Sequence, residues 1–167
     1  MLYTEESDYR FNPRNFWFGG VRYENDHFSG FTHQGTASTG IGHVFLESPQ
    51  TQLKGQLGVG YKFDETREVF SPAGVLLVPR ETGHSIAGIA RADFKHELNA
   101  STTILDKFTT EYTSENTFLQ NELALQVRMS DQLAIALGYV VRHNTDPPAA
   151  FRKTDTLTTV NVVYEVK

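Results

Sequence analysis

Most of this sequence alternates between apolar and polar residues with a period of two, and this alternation restricts the chain to β-sheet folds. In the stretch TQLKGQLGVGYKF, large apolar residues stand at every second position from Leu57 to Phe63, with polar or small residues between them. The stretches 86–95, 133–142 and 159–166 repeat this pattern. Each of them predicts a strand with one apolar face and one polar face.

One segment fits two structures. The stretch NELALQVRMSDQLAIAL is rich in helix-forming residues, and Leu123 and Val127 fit both a helical stripe and a strand. Ser130 and Asp131 in its middle are typical turn residues. The segment therefore predicts two strands joined by a turn.

The connections between the predicted strands alternate in length. Short polar connections are predicted at residues 12–15, 47–50, 98–101 and 129–132, and the connections between them, which are mostly longer, at 25–30, 64–83, 113–116 and 144–153. This pattern is typical of an antiparallel up-and-down meander. It predicts nine strands, the first over about residues 2–11, and one β-barrel domain over residues 1–167. The strands are about 11 to 16 residues long, against roughly 5 to 6 in soluble sheets.

Two classes of barrel have this topology. A transmembrane barrel has long strands, asymmetric loops and an apolar outer face, whereas a soluble ligand-binding barrel of the lipocalin type has its apolar residues inside. Glycines on the polar faces suit a narrow lumen, and aromatic residues near strand ends resemble interfacial girdles, so the composition favours the membrane class. The glycines are Gly40, Gly42, Gly58, Gly60 and Gly138, and the aromatic residues are Trp17, Phe31, Phe45, Phe63, Phe94, Tyr112, Tyr139 and Tyr164.

Charge and cysteine content exclude several functions. The formal net charge is −5, from 15 basic and 20 acidic residues without a basic run, so no nucleic-acid partner is expected. The absence of cysteine excludes disulfides, thiolate metal sites and cysteine nucleophiles.

The N-terminal residues MLYTEESDYRF lack the features of a signal peptide, so we expect either a cytoplasmic protein or a sequence from which an export segment is missing.

From Phe94 onward the chain carries the stretches FKHELNASTTILDKFTTEY and LALQVRMSDQLAIALGYVVRHNTDPPAAFRKTDTLTTVNVVYEV. Over these stretches it resembles the salt-induced outer-membrane proteins of Gram-negative bacteria, a domain-of-unknown-function family. VRYENDHFSGF and GQLGVGYKF extend the resemblance upstream. The resemblance implies a barrel of the bacterial outer membrane with no established activity, surrounded by the lipid bilayer and inserted by the barrel-assembly machinery.

The sequence departs from that family of barrels in two respects. Single-chain bacterial barrels have an even number of strands, so nine predicted strands imply that one or more N-terminal strands are missing and that this family member is N-terminally incomplete. Many outer-membrane barrels end on an aromatic residue, whereas this chain ends Tyr164-Glu165-Val166-Lys167.

Motifs for catalysis, cofactors and metals are scarce. No HExxH, Walker or nucleophile-elbow motif is present, and the Gly-x-Gly pairs at Gly40 and Gly58 lie in predicted strands, where glycine indicates close packing rather than phosphate binding. No cofactor is expected. His143 and Asp146 would give a metal ion two ligands at most, so no metal site is expected either.

Two histidine pairs are the candidates for a hydrolase. Asp26 and His27 resemble the acid and imidazole groups of outer-membrane proteases, and His143 with Asn144 resembles a phospholipase pair that needs a serine such as Ser85 or Ser114. Adjacent residues of a strand point to opposite faces, so neither pair converges without a bend. The polar stretch around His143, with Asp146, Pro147, Pro148 and Asp155, is best interpreted as the last outer hairpin loop.

Six charged residues fall on the polar faces of predicted strands. They are the candidates for lumen-facing charges: Arg91, Asp93, Lys95, Glu122, Arg128 and Arg142. Opposed charges inside a narrow barrel either pair into a structural lattice or line a small aqueous path. The sequence therefore predicts a non-enzymatic outer-membrane barrel, either a narrow pore or an envelope protein connected with osmotic conditions. The alternatives are an outer-membrane hydrolase of the lipase or protease type and a soluble ligand-binding barrel.

Overall fold

Nine antiparallel strands form one continuous sheet in the computed structural model of the chain. The structure describes residues 2–24, 31–66, 68–71, 74, 76–147 and 152–164. The strands are β1 (Leu2–Arg10), β2 (Asn15–Glu24), β3 (Phe31–Glu47), β4 (Thr51–Thr66), β5 (Val69–Phe70), β6 (Leu76–Val78), β7 (Thr82–Asn99), β8 (Thr102–Tyr112), β9 (Thr117–Arg128), β10 (Leu133–Asn144) and β11 (Thr154–Tyr164). The described residues contain no helix, and the predicted all-β meander is confirmed.

Sequence neighbours pair throughout the sheet, in the order β1-β2-β3-β4-β7-β8-β9-β10-β11. The predicted connection at 129–132 does separate β9 from β10, so the segment that also fitted a helix forms two strands. The tight turns use local side chains: the Asn12 Oδ1 accepts hydrogen bonds from the backbone N–H groups of Arg14 and Asn15, at 3.0 and 2.7 Å.

The connection predicted at 64–83 is shorter than expected and contains two short strands. Strands β4 and β7 continue pairing to Glu65 opposite Thr82, and β5 and β6 form a small hairpin between them. Glu65 explains part of this extension, because its carboxylate contacts both His33 and Arg80. The nine strands of the main sheet span 9 to 18 residues, a wider range than predicted.

The sheet has an enclosed inner face and an exposed outer face. Phe18 and Ala87 on the inner face are 0% exposed, whereas Leu57, Ile86 and Val160 on the outer face are 64, 76 and 71% exposed. Large apolar residues thus lie mainly outside, and most of the charged residues of β4, β7, β8 and β9 lie inside. This facing is the reverse of that of a soluble barrel.

The sheet is curled but, within the described residues, not closed. Strands β1 and β11 each pair with one neighbour and not with each other. Leu157 and Val163, on the inner face of β11, are 56 and 41% exposed because nothing in the described chain covers them. Both edges therefore present backbone groups that can pair with a further strand.

Aromatic rings fill the inner face of β2 and β3. Phe16 and Phe18 are buried with Val44, and their rings lie over glycines of the neighbouring strands. A Cβ atom built on Gly42 would lie 2.1 Å from the Phe16 Cζ, and one on Gly40 would lie 2.8 Å from the Phe18 Cε1 and 2.2 Å from the Leu57 carbonyl oxygen. We call Phe16, Phe18, Gly40, Gly42 and Val44 the aromatic–glycine cluster. The glycines of this face thus permit close packing, as the sequence indicated.

Candidate functional site: a charged cavity on the inner face

A cavity of about 310 Å³ lies on the inner face beside the aromatic–glycine cluster. We call it the charged cavity. Among the described residues, four acidic and five basic side chains line it. The acidic ones are Glu6, Asp93, Glu111 and Glu122, and the basic ones are Arg22, Lys54, Arg91, Lys107 and Arg142. Glu5 is their neighbour on β1, but its side chain lies on the outer face beside Tyr3. The lining therefore carries both charges in nearly equal numbers.

One part of this lining is a ladder of alternating charge across four strands. Lys54 stands directly opposite Asp93, Asp93 opposite Lys107, and Lys107 opposite Glu122. The Lys54 Nζ lies 3.3 Å from the Asp93 Oδ2. Opposite charges on directly paired strand residues stabilise a sheet by about 0.2–1 kcal/mol each, so the ladder favours this register.

The other part joins strands that are not neighbours in the sheet. Arg91 of β7 forms an ion pair with Glu6 of β1, and the guanidinium carbon lies 5.5 Å from the ring centroid of Phe18 on β2. The Arg91 Nη2 also donates to the Ser38 Oγ at 3.4 Å, and the Gln56 Nε2 donates to the Glu6 Oε1 at 2.7 Å. Strand β1 is thus held against β4 and β7 across the cavity.

A second ion pair also joins strands that are not neighbours. Here the arginine comes from the N-terminal part of the sheet and the carboxylate from the facing wall. Arg22 of β2 reaches β8, where its Nη2 lies 3.5 Å from the Glu111 Oε1, and its guanidinium carbon lies 5.1 Å from the Phe118 ring centroid on β9. We call Glu6–Arg91 and Arg22–Glu111 the cross-cavity pairs. Each arginine is held between a carboxylate and an aromatic ring of the facing wall, which combines ion pairing with a cation–π contact.

Two buried acceptor oxygens have no hydrogen-bond partner among the described residues. They are the Gln56 Oε1 and the Glu111 Oε2, on side chains that are 3 and 2% exposed and that both line the charged cavity. A buried acceptor without a partner costs roughly 1–3 kcal/mol, so these positions favour a donor or a cation.

The structure brings together four of the six charged residues predicted to face a lumen. Arg91, Asp93, Glu122 and Arg142 line the charged cavity. Lys95 lies apart from it, beside a smaller cavity of about 140 Å³, with its Nζ 3.0 Å from the Glu97 Oε1. Arg128 is exposed at the end of β9.

The prediction did not include Glu6, Arg22, Lys54, Lys107 or Glu111. The period-two pattern of β4 could have added Lys54, which shares the polar face with Gln56. Glu6, Arg22 and Glu111 needed the positions of non-neighbouring strands. Lys107 contacts neighbouring strands, but it follows Asp106 directly, and charge alone does not say which of the two faces inward.

Of the residue pairs considered for hydrolysis, the structure describes one, His143 with Asn144, and its two side chains do not converge. Asp26 and His27 lie outside the described residues. The His143 Nδ1 lies 2.8 Å from the Thr154 Oγ1, whereas the Asn144 Oδ1 accepts a hydrogen bond from the Asn116 Nδ2 at 2.8 Å. The two neighbours therefore have separate partners, as expected for adjacent strand residues.

Within the described ranges, no three His, Asp or Glu side chains are close enough to bind a metal ion together. The same ranges include no helix with the length and apolarity needed to cross a bilayer.

The fold and the cavity define an all-β meander with an apolar exterior and a charged interior. The chain belongs to the family described as "Protein of unknown function, DUF481", whose profile matches residues 3–166. It is 25% identical over 163 residues to "Uncharacterized protein YdiY" of Escherichia coli (strain K12). That match covers 94% of this chain and 59% of the relative, so the chain spans less than two thirds of the relative's length. No solved structure matches the chain.

Proposed function

We propose that the chain forms the wall of an outer-membrane β-barrel that acts without enzymatic chemistry, as a narrow polar path through the envelope. The observation that carries this proposal is the facing of the sheet. Leu57, Ile86 and Val160 are solvent-exposed on the outer face, while Arg91 and Glu111 lie on the inner face. In a bilayer this arrangement buries apolar surface against lipid and keeps the charges in the lumen.

The length of the apolar outer face fits a bilayer. On β4, the outer positions from Leu53 to Phe63 carry no charged residue, and they are followed by Glu65. Ten residue intervals at about 3.3 Å span about 33 Å, which at a strand tilt of about 40° gives a band about 25 Å tall. This equals the usual apolar height of outer-membrane barrels.

Aromatic and histidine side chains stack near both ends of this band. Towards the longer loops Tyr61 stacks on His84 with ring centroids 5.8 Å apart, and near the tight turns Phe94 stacks on His96 at 6.2 Å. Of the aromatic residues predicted to form girdles, six are exposed: Trp17, Phe45, Phe63, Tyr112, Tyr139 and Tyr164. Phe94 is half-buried, and the side chain of Phe31 is not among those that the structure describes. Rings with polar tips favour the membrane–water interface.

The outer face also carries polar side chains that a lipid environment must accommodate, among them a carboxylate in the middle of β8. Asp106 of β8 accepts a hydrogen bond from the Asn121 Nδ2 at 2.7 Å. The amide satisfies one carboxylate oxygen, which lowers the cost of placing this group beside lipid.

The first test is insertion of the 167-residue chain into lipid vesicles. We expect the refolded chain to float with vesicles in a density gradient, and the fluorescence of Trp17, its single tryptophan, to be quenched by brominated lipids. Trp17 is 48% exposed on the outer face, so the quencher can reach it. A chain that stays monomeric and folded in buffer without lipid or detergent would contradict the proposal.

Two substitutions test whether the outer face contacts a bilayer, by placing an arginine in the middle of the apolar band or near its edge. Leu57→Arg, in the middle of the band, should lower the free energy of unfolding from lipid by about 2–4 kcal/mol, whereas Leu98→Arg, at the end of β7, should cost about 0–1 kcal/mol. Urea unfolding in vesicles measures both. Equal costs at the two positions would show that the outer face does not contact a bilayer.

The absence of enzymatic chemistry is part of the proposal and has its own assay. The inserted protein should not hydrolyse phospholipid or peptide substrates above the rate seen with a variant that carries both His27→Ala and His143→Ala. Turnover that disappears in this variant would instead support the hydrolase alternative.

A further inference from the structure

We propose that the two cross-cavity pairs are the constriction of a path for small cations, and that the ion pairing keeps this path narrow. This inference rests on the proposed function, because a path exists only if the sheet forms the wall of a barrel.

The position of the pairs makes them the constriction. Glu6 and Arg91 come from β1 and β7, and Arg22 and Glu111 from β2 and β8, so each pair joins facing walls. An ion moving along the inner face has to pass the point where these side chains meet. Opposed charges that pair across a narrow lumen reduce its open cross-section.

The chemistry of the lining sets the sign of the ion. The guanidinium groups of Arg22 and Arg91 are engaged by carboxylates and by aromatic rings, and Lys54 is paired with Asp93. The other two basic residues of the lining stand directly opposite carboxylates on paired strands, Lys107 opposite Asp93 and Glu122, and Arg142 opposite Asp155. Acceptor oxygens, in contrast, are available, since the Gln56 Oε1 and the Glu111 Oε2 are buried without a partner among the described residues. Oxygen ligands in a narrow path replace the hydration shell of a cation, whereas an anion would need donors.

Replacing Arg22 and replacing Glu111 should shift the ion selectivity in opposite directions. Arg22→Gln removes the cation and leaves Glu111 ionised in the cavity, so both the conductance and the preference for cations should rise. Glu111→Gln leaves Arg22 unpaired, so the preference should shift towards anions. A residue with only a structural role would not change the sign of the selectivity.

The experiment is planar-bilayer recording of the full chain in asymmetric KCl. The wild type should conduct weakly with a reversal potential on the cation side, and Arg22→Gln should raise the single-channel conductance at least about twofold. The exchange of both residues, Arg22→Glu with Glu111→Arg, restores a pair and should return the low conductance. Arg128→Gln, a charged inner-face residue outside the cavity, is the control and should match the wild type.

If the variants of Arg22 and Glu111 do not fold, the Glu6–Arg91 pair provides an independent test. Arg91→Gln and Glu6→Gln should shift the reversal potential in the same two directions, and flotation with vesicles shows which variants insert. An inserted wild type with anion preference, or inserted variants that conduct like the wild type, would overturn the inference and leave the barrel proposal standing. Failure of the wild type to insert would overturn both.

Discussion

The aromatic–glycine cluster and the charged cavity lie on the same face of one sheet, yet the two regions are filled in different ways. In the cluster, Phe16 and Phe18 lie over glycines of adjacent strands, so the contacts are local. In the cavity, Arg22 and Arg91 reach strands that lie several positions away in the sheet. The cluster shapes the sheet locally, whereas the cavity pairs hold facing walls together.

Phe18 belongs to both regions. Its ring lies over Gly40 and Gly58 and faces the guanidinium group of Arg91. Substitutions at Phe18 and at residues of only one region can therefore separate the contribution of local packing from that of pairing across the cavity.

The largest effect is expected at this shared residue. Phe18→Ala should lower the free energy of unfolding by about 3–5 kcal/mol, because a fully buried ring is lost and the glycines beneath it cannot fill the space. Urea unfolding followed by far-UV circular dichroism in detergent or lipid measures the loss. Tyr9→Ala, at a side chain that is 68% exposed, is the control and should cost much less. Similar losses at both positions would contradict the role of the cluster.

A somewhat smaller effect is expected from breaking a cross-cavity pair. Glu111→Ala should cost roughly 3 kcal/mol, because Arg22 is left enclosed beside Phe118 without its carboxylate. Replacing both partners, Arg22→Met with Glu111→Leu, should recover most of this stability, since no unpaired charge remains. The same urea titration compares the two. A double variant as unstable as Glu111→Ala would show that the loss does not come from an unpaired arginine.

The strands and their faces could be predicted from the sequence because each depends on neighbours two residues apart. Leu123 and Val127 fitted helix and strand equally, and the turn residue Ser130 decided correctly between them. Arg91 and Asp93 lie on one face for the same reason, since every second residue of a strand shares a face.

The contacts across the cavity could not be predicted, because they depend on how far the sheet curls. Two further charged positions were ambiguous even locally. Glu5 and Glu6 are adjacent, as are Asp106 and Lys107, so one member of each pair faces inward and charge alone does not say which. The hairpin of β5 and β6 was missed because a polar connection of that length carries no period.

The smallest effect tests how closely the local region is packed. Gly40→Ala should lower the free energy of unfolding by about 1–3 kcal/mol, because the new methyl group would lie 2.2 Å from the Leu57 carbonyl oxygen and force the paired strands apart. Gly88→Ala is a matched control in β7, where the nearest atom to a new Cβ is the Tyr112 carbonyl oxygen at 4.0 Å. That change should stay within about 0.5 kcal/mol of the wild type. Both variants keep every charge of the cavity, so their reversal potentials should be unchanged while their stabilities differ. If Gly40→Ala left the stability unchanged, the glycines would not be needed for packing, and the aromatic–glycine cluster would lose its role in shaping the sheet.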